Sequence, residues 1–137
     1  MSHFLEHFSL EPGLRILREC RRVLAPNGVL RVSCPDLRRY AVAYISGDMT
    51  FYERVGTPLY CNYNILQTLG EKFISKAYDN ANGHLWFYDA EMLICILKSM
   101  GFRQAVDCNL HESALPRILD IEPEYRAVES FYVEAVS

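Results

Sequence analysis

A chain of 137 residues is enough for one compact domain and too short for two. Half of the residues are apolar, 12% aromatic and 23% charged, a balance that excludes a disordered tail. Lys and Arg number 14 against 17 Asp and Glu, a net charge of −3, so the basic excess of a duplex-binding domain is lacking and nucleic acid is set aside as the main partner.

The first predicted element is a helix over 10–24. Leu10, Leu14, Leu17 and Leu24 recur at helical spacing, Ser9 can cap, and Pro12 is tolerated in a first turn. Pro26-Asn27-Gly28 then breaks the chain, since Asn and Gly both accept positive φ. The short β-branched run 29–34 reads as a strand that ends at Pro35-Asp36, with Asp36 placed to cap the next helix. Helical patches are expected over 37–46, 48–55 and 63–77, separated by Gly47, Gly56 and Pro58. Asp89 caps a strong helix that runs to Met100 with Leu93, Ile96, Leu97 and Met100 on one side, and Gly101 suits its C-terminal turn. Residues 103–108 and 130–136 read as strands, with a loop or short helix around Pro116 and Pro123. The alternation, closed by a hairpin-like return, predicts an open α/β sheet.

The five cysteines, Cys20, Cys34, Cys61, Cys95 and Cys108, stand singly with no CxxC pair, so they read as small buried hydrophobes of a reducing compartment. No apolar run approaches the roughly 20 residues that span a bilayer. The start also lacks a basic region followed by an apolar one, which sets the expectation of a cytoplasmic chain with no membrane partner. Arg15, Arg18 and Arg22 share one helical face and read as a solvated row.

The segment Ser2-His3-Phe4-Leu5-Glu6-His7-Phe8 is followed by the helix ending Arg22-Val23-Leu24-Ala25-Pro26-Asn27-Gly28 and then by Val32-Ser33-Cys34-Pro35-Asp36-Leu37. Together these resemble the second half of a class I S-adenosylmethionine-dependent methyltransferase of the type 11 kind. In that family an LEH segment follows the fourth strand and an RVLxPGG turn leads into the fifth. Asn27 stands here where the family has Gly, a mild change at a positive-φ position. The resemblance implies a partial Rossmann-like α/β fold in one truncated domain over 1–137. It would hold strands equivalent to the fifth, sixth and seventh, helices on the sheet faces and an aromatic-rich helical insert over about 37–88.

It implies in turn that Ser2, His3, Phe4 and Leu5 face the methionine portion of S-adenosylmethionine. Glu6, His7 and Asp36 would then lie near the transferred methyl group, with His7 as the base if one is used. Tyr40, Tyr44, Tyr60, Tyr63, His84 and Trp86 are candidates to line the pocket of a small-molecule or saccharide acceptor. The family's Gly-rich cofactor loop is not in this sequence. Its seven glycines (13, 28, 47, 56, 70, 83 and 101) are far apart and form no GxGxG, so the chain alone is expected to be inactive. A sheet without its first strands bares an edge, which predicts a homodimer that covers it, with residues 1–8 as an added strand.

Two other readings stand beside this one. His3-Phe4-Leu5-Glu6-His7 spells H-x-x-E-H, an inverted zinc-peptidase pattern with His84, His111 or a Glu available as third ligand. The other is a non-catalytic remnant of the fold that acts only by association.

Overall fold

The computed structural model describes residues 1–56, 68–77, 83–115, 118 and 122–137. Its fold is mixed α/β. Helix α1 (Leu10–Val23) precedes strand β1 (Val29–Pro35), and α2 (Leu37–Ser46), α3 (Met49–Arg54) and α4 (Leu69–Ala77) form the insert. Helix α5 (Ala90–Ser99), strand β2 (Gln104–Cys108) and strand β3 (Ser130–Val136) close the chain, with short 3-10 segments at Leu5–His7 and Glu124–Val128.

Each boundary has a local cause. Ser9 begins α1 through its carbonyl, which accepts from Gly13 N at 3.0 Å, and its hydroxyl makes no capping bond. Asp36, Asp48 and Asp89 cap α2, α3 and α5 with side-chain oxygens that accept from Arg38 N, Phe51 N and Met92 N. The turn before β1 is made at Asn27 (φ +63), and after α5 Gly101 at φ +88 returns the chain toward β2. The part of the expected 63–77 helix before Thr68 lies outside the described residues, as do Tyr60, Tyr63 and Cys61.

The sheet order is β1-β3-β2, with β3 antiparallel to both neighbours, so β1 and β2 run in the same direction. Register pairs Val29 with Val136 and Pro35 with Ser130, which sets Ser130 beside the carboxyl end of β1. Residues 1–3 continue the sheet past β1. Ser2 bridges Ser33 in parallel, Ser33 N donates to Met1 O, and His3 N donates to Ser33 O, both at 2.9 Å. The added strand expected across a dimer is therefore made within the chain.

Leu17 of α1, Leu93 and Leu97 of α5, and Leu30, Val32, Phe131, Val133 and Ala135 of the sheet build the main core, which also takes in Leu5 and Tyr88. A smaller core in the insert centres on Tyr40, Ala43 and Tyr52. Cys34 is buried as expected, but Cys95 is exposed. It lies on the face of α5 opposite Leu93 and Leu97, and an apolar run does not by itself bury every member of a helix.

The other face of β1 carries a charge. Arg31 is 2% exposed. Its Nε donates to Glu122 at 3.0 Å, Nη1 to Glu134 at 3.1 Å and to Glu112 O at 2.8 Å, and Nη2 to the carbonyls of Asn109 and Leu110. The guanidinium also lies 5.0 Å over the Tyr132 ring. Burial pushes the Glu134 carboxyl up, but the Ser113 hydroxyl, the Ala114 amide and Arg31 together hold it below its ordinary value. A carboxylate depressed in the folded state stabilises above its unfolded pKa, and that contribution is lost as pH falls through the folded one. The contribution of Glu134 to the thermal midpoint is therefore expected to be level through neutral pH and to fall once pH drops below the ordinary carboxylate range. In Glu134→Gln this acid slope should be shallower; an unchanged slope would exclude Glu134 as its source.

Among the described residues no helix is long and apolar enough to cross a membrane. Arg15 and Arg18 pair with Glu11, and Arg22 with Glu19, on an exposed face, so the arginine row is solvated.

Candidate functional site

The site forms where the 3-10 turn Leu5–His7 meets residues 83–86. Leu85 N and Trp86 N both donate to Glu6 O, at 2.8 and 3.2 Å, and stitch the two segments together. Gly83 takes the left-handed backbone, at φ +72, through which the chain enters this contact. His84 is thereby brought against His7, ring centroids 5.0 Å apart in an edge-to-face arrangement. Glu6, His7 and His84 each offer a ligand atom, all within 4.8 Å of one another.

Glu6 has no exposed surface, and among the described residues neither of its carboxylate oxygens has a well-formed hydrogen bond. His3 Nδ1 approaches Oε1 at 3.4 Å, close enough for an ion pair and too poorly aligned for a hydrogen bond. Burial opposes ionisation of Glu6, yet the nearby His3, the backbone and the Cys34 side chain hold the carboxyl below its ordinary value. Burial and the Glu6 charge push the Cys34 thiol well up, and burial with the charges of Cys34 and Glu6 pushes Tyr88 up to about 12. Tyr88 Oη and Trp86 Nε1 are also buried without partners among the described residues.

His3 is held elsewhere. Its backbone adopts φ +45, strained for a residue with a side chain, and its Nε2 lies 2.7 Å from Ser130 Oγ. Arg126 Nη1 lies 3.4 Å from His3 Nδ1. Ser130, His3 and Glu6 thus form a line in the order of a nucleophile, a base and its orienting carboxylate. Ser130 has no exposed surface, so the line fixes side chains and presents no nucleophile. The inverted zinc-peptidase arrangement is not formed either. It needs His3 and His7 one helical turn apart on one face, but the helical segment is only three residues long and His3 precedes it with its ring turned to Ser130.

Ser2 is tied to β1 by its bridge to Ser33 and by a hydroxyl contact at 3.0 Å. Phe4 is 45% exposed and packs on Phe8, while Leu5 is wholly in the core. Asp36 is the cap of α2, accepting from Arg38 N at 3.0 Å with Arg39 3.4 Å away, and is not part of the Glu6–His7–His84 group. Burial pushes its carboxyl up against the opposing pull of the Arg38 amide and Arg39.

Of the aromatic candidates, Tyr40 is fully buried and donates to Glu129 at 2.6 Å, which leaves it no surface for a substrate. Tyr44 stacks on Phe73 and is half exposed. Trp86 packs against the main core. Among the described candidates, His84 joins Glu6 and His7. The Ser130–His3 contact and the buried Glu129 that joins Tyr40 to Arg126 have no counterpart among the sequence expectations. The register of β3 against β1 creates them, and no local signal marks it. Compared with known proteins, the chain matches no family model, no curated protein and no solved structure.

Proposed function

We propose that the chain is the acceptor-side half of a class I S-adenosylmethionine-dependent methyltransferase domain, with a Rossmann-like sheet, that acts on a small-molecule or saccharide acceptor. The observation that carries this reading is strand order. Residues 1–3 lie parallel to β1, and β3 enters antiparallel between β1 and β2. That is the order expected of the fourth, fifth, seventh and sixth strands of the family that the LEH and RVLAPNG segments resemble. The LEH turn then stands at the carboxyl end of the sheet, where ligands of open α/β sheets bind.

The residues present do not fit the methyl donor. Leu5 is enclosed in the core, the backbone of Ser2 and His3 is committed to β1, and no glycine-rich loop stands in the sequence to cradle an adenosyl group. What these residues supply is a rigid floor, in which the turn Leu5–His7 is locked to 83–86 and sets His7 beside His84.

Titration of the purified chain with S-adenosylmethionine should give no saturable heat up to millimolar donor. Micromolar binding would mean that these residues, or a second copy of them, complete a donor site. A second reading, an interaction domain without catalysis, draws on the same lack of a donor cradle. The two part when a donor-binding half is fused to the chain, because only the first then gains a donor site. The reading also includes a homodimer through the edge of the sheet on the β1 side, beyond the short stretch that residues 1–3 cover. Light scattering at micromolar concentration should give twice the chain mass; a monomer would remove the dimer from the proposal.

A further inference from the structure

We propose that Glu6, His7 and His84 form a binding site for a divalent cation of the zinc class, which nothing in the methyltransferase reading calls for. The donor set is two imidazoles and one carboxylate, the combination that holds zinc with one position left open. The ligand atoms lie within 4.8 Å of one another. Side-chain rotation closes such a span to the roughly 3.4 Å between donors that bonds of about 2.1 Å impose in a tetrahedral site.

A cluster of imidazoles is often packing and no more; Glu6 sets this one apart. A carboxylate with no exposed surface and, among the described residues, no well-formed hydrogen bond to either oxygen is an anion taken out of water with only the close approach of His3 and Cys34 to offset the loss. His3 meets one oxygen only at 3.4 Å. A cation between Glu6 and the two imidazoles would satisfy what the protein leaves unsatisfied.

The outer contacts suit the same end. His84 Nδ1 lies 3.3 Å from Lys76 O, the kind of ring-nitrogen-to-carbonyl contact that orients a ligating imidazole. The carbonyl of Glu6 accepts from the amides of Leu85 and Trp86, which fixes the two ligand-bearing segments to each other before any ion arrives. The H-x-x-E-H pattern is thereby reassigned. Its Glu and second His contribute, its first His is taken by Ser130, and the second imidazole comes from His84.

The test is a titration of the full chain, stripped with chelator, with Co(II) followed by visible absorption and then with Zn(II) in competition. The expected result is one ion per chain with the intense d–d bands of a four-coordinate site, displaced by zinc. His7→Ala and His84→Ala should each weaken Co(II) binding by more than the roughly 100-fold that loss of an outer-shell partner can cost, while His111→Ala changes it less than about threefold. Failure of the unaltered chain to bind Co(II) or Zn(II) stoichiometrically would overturn the proposal, whatever the variants do. So would binding that survives both His7→Ala and His84→Ala in proteins that keep the far-UV circular dichroism of the parent.

Discussion

Replacing Arg31 with methionine is expected to lower the stability of the fold by about 3–5 kcal/mol, the cost of breaking a buried ion pair on one side only. The side chain reaches from β1 into a pocket closed by residues 108–112, Glu122 and Glu134, and all three of its nitrogens are engaged there. Methionine fills most of the volume but leaves two carboxylates without their cation. It also leaves the carbonyls of Asn109, Leu110 and Glu112 without a donor. Each such group retains its desolvation cost once its partner is gone. Coupled replacement of Arg31, Glu122 and Glu134 by apolar residues should recover much of the loss, because an apolar core dispenses with charge and desolvation together. Chemical denaturation of the single and triple variants reads both effects. A single-variant loss below about 1 kcal/mol would mean that water reaches the cluster and that Arg31 acts as a surface charge.

The second large effect is expected at Leu97. This residue has no exposed surface and sits where α5 packs on β2 and β3, among Leu93, Phe102 and Ala105. Leu97→Ala removes apolar contact and leaves a cavity that a helix anchored by its Asp89 cap cannot easily close, at a cost of about 2–5 kcal/mol. Cys95, two residues earlier on the opposite face, is exposed, and Cys95→Ser should stay within about 0.5 kcal/mol. Equal costs at the two positions would contradict the placement of α5 on the sheet.

These two positions also mark what the amino-acid sequence makes legible. Leu97 belongs to a stripe with Leu93, Ile96 and Met100, and its burial follows from periodicity. The helices α1 and α5, the three strands and the caps Asp36 and Asp89 are legible for the same reason, since each depends on residues only a few positions apart. Arg31 is different. Nothing in Val29-Leu30-Arg31-Val32-Ser33-Cys34 separates an arginine that faces water from one enclosed by a distant loop. Its enclosure depends on residues that arrive some 77 to 103 positions later.

The candidate site divides in the same way. The LEH segment stands out, and His84 is visible as a polar residue among large rings. That His84 should meet His7, or that His3 should turn to Ser130, depends on the Glu6 carbonyl receiving Leu85 and Trp86 and on β3's register against β1. Asp36 shows the converse. A carboxylate after a strand is ambiguous in sequence, and its contacts with Arg38 and Arg39 account for it as a helix cap.

The proposed function treats the sheet of this chain as the closing half of a class I methyltransferase domain. It is tested by fusing, ahead of Met1, the first four strands and glycine-rich loop of an active class I methyltransferase and titrating the product with S-adenosylmethionine. Met1 is a suitable junction because its amine lies 2.6 Å from Arg31 O, alongside the edge of β1 that the added strands would extend. The account predicts that the fused protein melts in one cooperative transition and binds the donor at micromolar concentration, while the unfused chain binds none at millimolar. A fused protein that melts cooperatively yet gives no saturable heat would contradict it.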